Sequence, residues 1–129
     1  MAGFYLSKRS KDNLQGVHPD LVRVVERAIQ LTKVDFVVTE GLRSLARQRQ
    51  LKDAGASKTL RSRHITGHAV DLAAIVGKDI RWDWPLYPQL AAAMKQAARE
   101  LGVPLEWGGD WKSFKDGPHF QLPFAEYPG

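Results

Sequence analysis

Between Ser62 and Leu72 the chain reads Ser-Arg-His-Ile-Thr-Gly-His-Ala-Val-Asp-Leu, which sets His64, His68 and Asp71 within eight residues. Neutral ring nitrogens together with an anionic oxygen form the mixed donor set that suits a divalent zinc ion in a catalytic site. Such a site takes three protein ligands and leaves one position to water, so a third His or carboxylate has to come from elsewhere in the chain. That requirement constrains the fold, which has to bring a distant segment against this one.

The spacing decides which of the three residues can meet. On a helix they would share one face at i, i+4 and i+7. Gly67 and the β-branched Ile65, Thr66 and Val70 speak against a helix and predict a turn feeding a strand. In a strand from His68 to Ala73, alternation sets Ala69, Asp71 and Ala73 on one face and His68, Val70 and Leu72 on the other. His68 is therefore expected to face away from Asp71. His64 arrives from the turn before Gly67 and can converge with Asp71, so His64 and Asp71 are the expected metal pair. A surface loop with two solvated histidines and a strand-end Asp is the competing reading.

A second stretch supplies the missing donor. In Lys115-Asp116-Gly117-Pro118-His119-Phe120-Gln121-Leu122, Pro118 fixes the backbone before a strand that sets His119 and Gln121 on one face and Phe120 and Leu122 on the other. His119 is the expected third ligand. Asp116 lies across a Gly-Pro bend that can fold its carboxylate back toward the metal without joining it. The chain has no cysteine, which excludes disulfides, thiolate ligands and a cysteine nucleophile.

The remaining pattern gives the frame. Leu21, Val24, Val25, Ala28, Ile29 and Leu31 recur at helical spacing after Pro19 and predict a helix over 19–32, with His18 at its entrance. The run 35–39 reads as a strand ending in Glu40-Gly41-Leu42-Arg43-Ser44, where Ser44 can cap a helix over 44–54 that stops at Gly55. Arg43 sits at this strand-to-helix turn, where its guanidinium either meets a substrate carboxylate or stays solvated. Residues 55–63 read as a basic loop, and Ile80-Arg81-Trp82-Asp83-Trp84 as a second strand or extended edge stopped by Pro85. Residues 87–101 read as a helix closed by Gly102, with Met94 in the core. Residues 103–107 and 108–111 read as a strand and a tight turn, and residues 1–17 as an arm packed on the domain. The expected architecture is α+β in one domain over 1–129. A small antiparallel sheet carries His64, Asp71 and His119 on one face, and three helices pack behind it.

Composition narrows the function classes. Hydrophobic residues at 43% and charged residues at 26% are ordinary for a globular chain and exclude disorder. No apolar run is long enough for a signal peptide or a membrane span, so synthesis in the cytoplasm without membrane insertion is expected. The net charge of +5, from 19 Lys and Arg against 14 Asp and Glu, predicts attraction to polyanions, for which nucleic acid and an anionic cell envelope both qualify. The basic residues are scattered rather than grouped with interleaved aromatics, which speaks against a specific nucleic-acid partner. A monomer is expected.

Taken together, Ser62-x-His64-x-x-Gly67-x-Ala69-x-Asp71 followed by Asp116-x-x-His119 resembles the zinc peptidases that cut peptidoglycan stem peptides, the D-alanyl-D-alanine carboxypeptidase and L-alanyl-D-glutamate peptidase family. The order of helix, strand, Gly-x-Arg turn at Arg43, Trp-Gly-Gly-Asp-Trp segment and final His strand is similar as well. The resemblance implies a Hedgehog/DD-peptidase-like fold, Zn2+ held by His64, Asp71 and His119, Asp116 as general base, and Arg43 and Ser62 as substrate contacts. Short, basic, single-domain phage endolysins are the most similar members. They imply cleavage of the L-alanyl-D-glutamate bond of stem peptides during phage-mediated host lysis, after synthesis in the host cytoplasm and release to the wall by a holin-type protein. A D-alanyl-D-alanine carboxypeptidase or dipeptidase is the enzymatic alternative, although it would need export. A zinc-stabilised cell-wall-binding module without turnover is the alternative of another class, and Asp116 speaks against it, because such a module has no need of a carboxylate beside the metal. Two departures stand out. Many relatives carry Glu where this chain has Asp116, and some carry a second His where it has Gly117. Glu106 is the competing base, although its place in a strand beside Trp107 fits a structural role.

Overall fold

The computed structural model describes residues 4–55, 62–113 and 115–128. In chain order its elements are helix α1 (Lys8–Asn13), helix α2 (Pro19–Leu31), strand β1 (Asp35–Glu40), helix α3 (Leu45–Asp53), strands β2 (Ala69–Val76) and β3 (Asp79–Arg81), helix α4 (Tyr87–Leu101), and strands β4 (Glu106–Trp107) and β5 (His119–Gln121). Short 3-10 turns cover Trp84–Leu86 and Gly108–Asp110.

All strand pairs are antiparallel, and β2 is the centre. β1 runs along one edge of it, with Phe36 opposite Ala74 and Val38 opposite Leu72. β5 and β3 divide the rest, β5 pairing Ala69–Asp71 and β3 pairing Ala74–Val76, while β4 pairs the outer side of β5. The alternation read from the sequence is realised across the sheet. Val70, Leu72 and Ala74, Phe36 and Val38, and Phe120 and Leu122 belong to one buried cluster with α2 and α4. Burying a side chain of this size stabilises the fold by about 1.5–3 kcal/mol, so the layer behind the sheet is where its rigidity originates. Asp71, His119 and Gln121 take the opposite face, where they line a cleft.

Local chemistry fixes the helix ends. His18 Nδ1 accepts from the Asp20 backbone N–H and Pro19 fills the first turn, which starts α2 with an N-cap that is itself an imidazole. Ser44 Oγ accepts from the Arg47 N–H to start α3. Gly102 closes α4 in a left-handed conformation.

Three expectations are corrected. The arm read over residues 1–17 contains a fourth helix, α1, capped by Ser7. Its reason is tertiary. Fully buried Ser10 accepts the Val38 N–H at 2.9 Å, and Asn13 Nδ2 donates to the Val38 carbonyl oxygen at 2.8 Å, so the short helix covers the open edge of β1. Of the second strand or extended edge read over 80–84, the strand part ends at Arg81, because Pro85 presets a helical turn from Trp84 and Tyr87 draws the chain into α4 by donating its buried hydroxyl to the Arg81 carbonyl. The strand over 103–107 keeps only Glu106 and Trp107, and the tight turn after it is a 3-10 turn. Of the basic loop read over 55–63, residues 56–61 lie outside the described residues.

Candidate metal centre and cleft

Each donor is placed by a different device. Asp71 is the third residue of β2. His119 is the first residue of β5 and lies opposite Asp71 in the ladder. His64 arrives by the turn that ends at Gly67, whose φ of 77° suits glycine and whose missing Cβ leaves room for the carbonyl of Gly16. The ligand atoms of His64, Asp71 and His119 lie within 4.8 Å of one another. His68 is elsewhere, with Nδ1 at 2.6 Å from Thr66 Oγ1.

The hydrogen bonds settle which ring nitrogens face inward. His64 Nδ1 lies 2.8 Å from the Gly41 carbonyl oxygen, which can only accept, so Nδ1 carries the proton and Nε2 presents its lone pair to Asp71 Oδ1 at 3.2 Å. Gln121 Nε2 donates to a Glu106 carboxylate oxygen at 3.3 Å, which leaves Gln121 Oε1 to accept from His119 Nε2 at 2.8 Å. The His119 Nδ1 lone pair then also faces Asp71 Oδ1, at 3.2 Å. Two imidazole lone pairs and a carboxylate oxygen thus converge, an arrangement that a cation or protons must bridge. Burial by itself would raise the Asp71 carboxyl, but close contact with the His119 and His64 rings, where a bridging proton or cation supplies positive charge, outweighs it and holds the group well below the usual carboxylate range. Burial would lower His119, and its contact with Asp71 more than reverses that. The outer partners, Gly41 and Gln121, are of the kind that orient metal-ligating histidines. On its donor chemistry the set fits a zinc ion with an open position.

Around this centre lies a cleft of about 640 Å³. Asp116 stands at its mouth, exposed to solvent on one side. Its backbone N–H donates to the Gly108 carbonyl and its own carbonyl accepts from the His119 N–H, while Trp107 Nε1 donates to the Gly117 carbonyl at 2.7 Å. The Trp-Gly-Gly segment is thereby the bed on which the Asp116 bend rests. Shielding by the surrounding protein and the nearby Asp71 charge both push the Asp116 carboxyl up.

Two residues expected to touch substrate are already engaged with the protein. Arg43 pairs with Glu40, donates to Gln48 Oε1 at 2.6 Å, and faces Asp71 Oδ2 at 3.7 Å. A register shift between Val38 and Glu40 makes this possible by setting Glu40 opposite Asp71. Ser62 Oγ accepts the His64 N–H at 3.2 Å and lies 3.5 Å from Arg43 Nη1, so its own proton is left to point elsewhere. Glu106, the competing base, partners Gln121 rather than lining the cleft. The Gln121 link to His119 escaped sequence reasoning. Its one signal is the strand period, which sets both residues on the same face.

The family model for phage L-alanyl-D-glutamate peptidases matches residues 2–122 of this chain. An L-alanyl-D-glutamate peptidase of Escherichia phage T5 is 34% identical over 130 residues, spanning 98% of this chain and 94% of the relative. Among solved structures, the L-Ala D-Glu endopeptidase ChiX of Serratia marcescens is 56% identical with a TM-score of 0.92, covering 96% of this chain and 93% of that one. The vancomycin resistance D,D-dipeptidase VanXYg is 22% identical with a TM-score of 0.55, over 82% of this chain and 50% of that one, a likeness of fold alone.

Proposed function

The chain belongs to the phage L-alanyl-D-glutamate peptidase family, and from that premise we propose that it is a peptidoglycan endopeptidase that hydrolyses the amide between L-alanine and D-glutamate in stem peptides. The donor set suits Zn2+, which His64, Asp71 and His119 would hold in one peptidase domain over 1–129. The observation that carries this reading is the convergence of two imidazole lone pairs and one carboxylate oxygen beside a cleft with Asp116 at its mouth.

When bound, zinc supplies an open coordination position that acidifies water toward a pKa of about 7 and polarises a carbonyl. The chain's own residues do the rest. Asp116, whose carboxyl is pushed up and so better matched to proton transfer, takes the proton of the attacking water and returns it to the leaving amine. The Ser62 hydroxyl, which accepts from the His64 N–H and the Arg43 guanidinium, is left to donate toward the carbonyl oxygen as charge develops there. Arg43 holds Asp71 in place from its second oxygen and adds positive charge at the same edge. No covalent intermediate is required.

No helix among the described residues is long and apolar enough to cross a membrane. We place synthesis in the host cytoplasm and release to the wall by a separate holin-type protein, a reading supported by the similarity to phage relatives. Digestion of purified sacculi tests the activity. Products that begin with D-glutamate are expected, their release should stop on chelation, and zinc should restore it. Release of free D-alanine alone would transfer the chain to the D-alanyl-D-alanine class.

A further inference from the structure

Three arginines line the cleft, and two of them are already committed. Arg43 is held by Glu40, Gln48 and Asp71. Arg63 donates from Nη2 to the carbonyl oxygens of Leu122 and Tyr127, lies over the Phe124 ring, and keeps Nε and Nη1 buried where no solute reaches them. Arg47 differs. Its backbone N–H caps onto Ser44, but its exposed side chain has no partner among the described residues while it lines the cleft. It stands one helical turn before Leu51, so the face that α3 turns to the cleft carries a cation followed by an apolar side chain. Gln48, buried on the same helix and bonded to Arg43, fixes the rotation of that face.

A glutamyl residue that continues a peptide through one of its carboxyl groups keeps the other beside the scissile amide, free or amidated. Resting on the functional reading above, we propose that Arg47 is a specificity-determining residue that pairs with this free carboxylate, with Leu51 beside it against the aliphatic part of the substrate. Glu40 and Asp71 would repel an incoming anion if they were not paired with Arg43 and the histidines, and the attraction itself has to come from a cation with nothing else to hold. A guanidinium offers the planar fork that matches a carboxylate.

Two peptides test the assignment, both containing the L-alanyl-D-glutamyl bond, one with the second glutamyl carboxyl free and one with it converted to the primary amide. Zinc-loaded wild type is expected to prefer the acid. Arg47→Gln should lower kcat/KM for the acid about tenfold, mainly through KM, and leave the amide within about twofold, with Arg47→Lys in between. A product peptide beginning with free D-glutamate gives a readout without turnover, since its Kd for the metal-free protein should weaken about tenfold in Arg47→Gln. Equal losses on both peptides, no loss on either, an unchanged Kd, or a wild type indifferent to amidation overturns the role of Arg47 and leaves the functional reading standing. A wild type that cleaves neither peptide overturns both.

Discussion

The four histidines of this chain form two pairs of similar geometry and unlike surroundings. His64 and His119 have ring centroids 5.1 Å apart, and His18 and His68 have theirs 5.5 Å apart. The first pair closes on Asp71, with both inner nitrogens 3.2 Å from one carboxylate oxygen. The second packs against Tyr127 instead, and the carboxylate in its vicinity, Asp20, is taken by the Tyr127 hydroxyl and by Arg23. The first pair therefore gathers negative charge, while burial, Arg63 and His18 push His68 below the ordinary histidine value. Proximity of imidazoles does not make a metal site. A shared anion does, and β2 assigns that anion to His64 rather than to His68 by its alternation alone.

The comparison breaks most visibly if the donors are removed. His64→Ala or His119→Ala is expected to abolish zinc binding and turnover, and with them the rise in melting temperature that added zinc produces. Asp71→Asn should do much the same, because it makes the first pair resemble the second. His68→Ala and His18→Ala should keep stoichiometric zinc. Metal analysis and melting with and without zinc read all five variants, and a zinc-free His68→Ala protein would contradict the assignment of ligands.

Next in size is the separation of binding from chemistry. Asp116→Asn keeps the shape of the bend and should retain zinc, yet lose about 10² to 10⁴ in kcat. Glu106→Gln should cost far less, because its carboxylate acts on Gln121 and not in the cleft. If Glu106→Gln abolishes turnover with zinc retained while Asp116→Asn is active, the two roles are exchanged. A third step sharpens the first pair from outside. Gln121→Leu removes the acceptor that fixes the His119 tautomer and should weaken zinc affinity or activity about 10- to 100-fold, measurable by competition with a chelator.

These contrasts also show where sequence reading succeeds. Helices α2 and α4 were legible because Leu21, Val24, Val25 and Ala28, or Leu90, Met94 and Ala97, repeat at the helical period and bury one side. The two faces of β2 and β5 were legible for the same reason at period two. Helix α1 was not, because Ser10 and Asn13 matter only through β1, which lies 25 or more residues away in sequence. Arg43 stood out as a cation at a turn, but its partners Glu40 and Gln48 depend on a bulge that no pattern announces. The strand period sets Gln121 on the face of His119, but its bonds to His119 and to Glu106 depend on the pairing of β4 with β5, which no pattern announces.

The smallest expected effect belongs to the second pair and concerns stability. His68 is half-buried, faces Arg63 and His18, and its folded pKa lies below the ordinary histidine value of about 6.5, so the unfolded chain takes up a proton more readily than the folded one. Between the folded value and 6.5 the unfolded state then binds more protons, and stability must rise with pH across that window and fall on acidification. Its neighbours make the direction consistent. Arg63 is anchored to the Leu122 and Tyr127 carbonyls and cannot swing away, and Tyr127 is itself tied to Asp20 at 2.7 Å, so a charged His68 would sit beside a fixed cation. His68→Gln should remove this part of the acid sensitivity while leaving stability near pH 8 within about 0.5 kcal/mol of wild type. Urea unfolding of the chelated protein at pH 5 and at pH 8 measures it, because without zinc the proposed ligands titrate alike in both proteins and cancel in the difference. A variant whose midpoint falls as steeply with acid as the wild type would show that His68 is free to take a proton in the folded chain, and the electrical contrast between the two histidine pairs would then be lost.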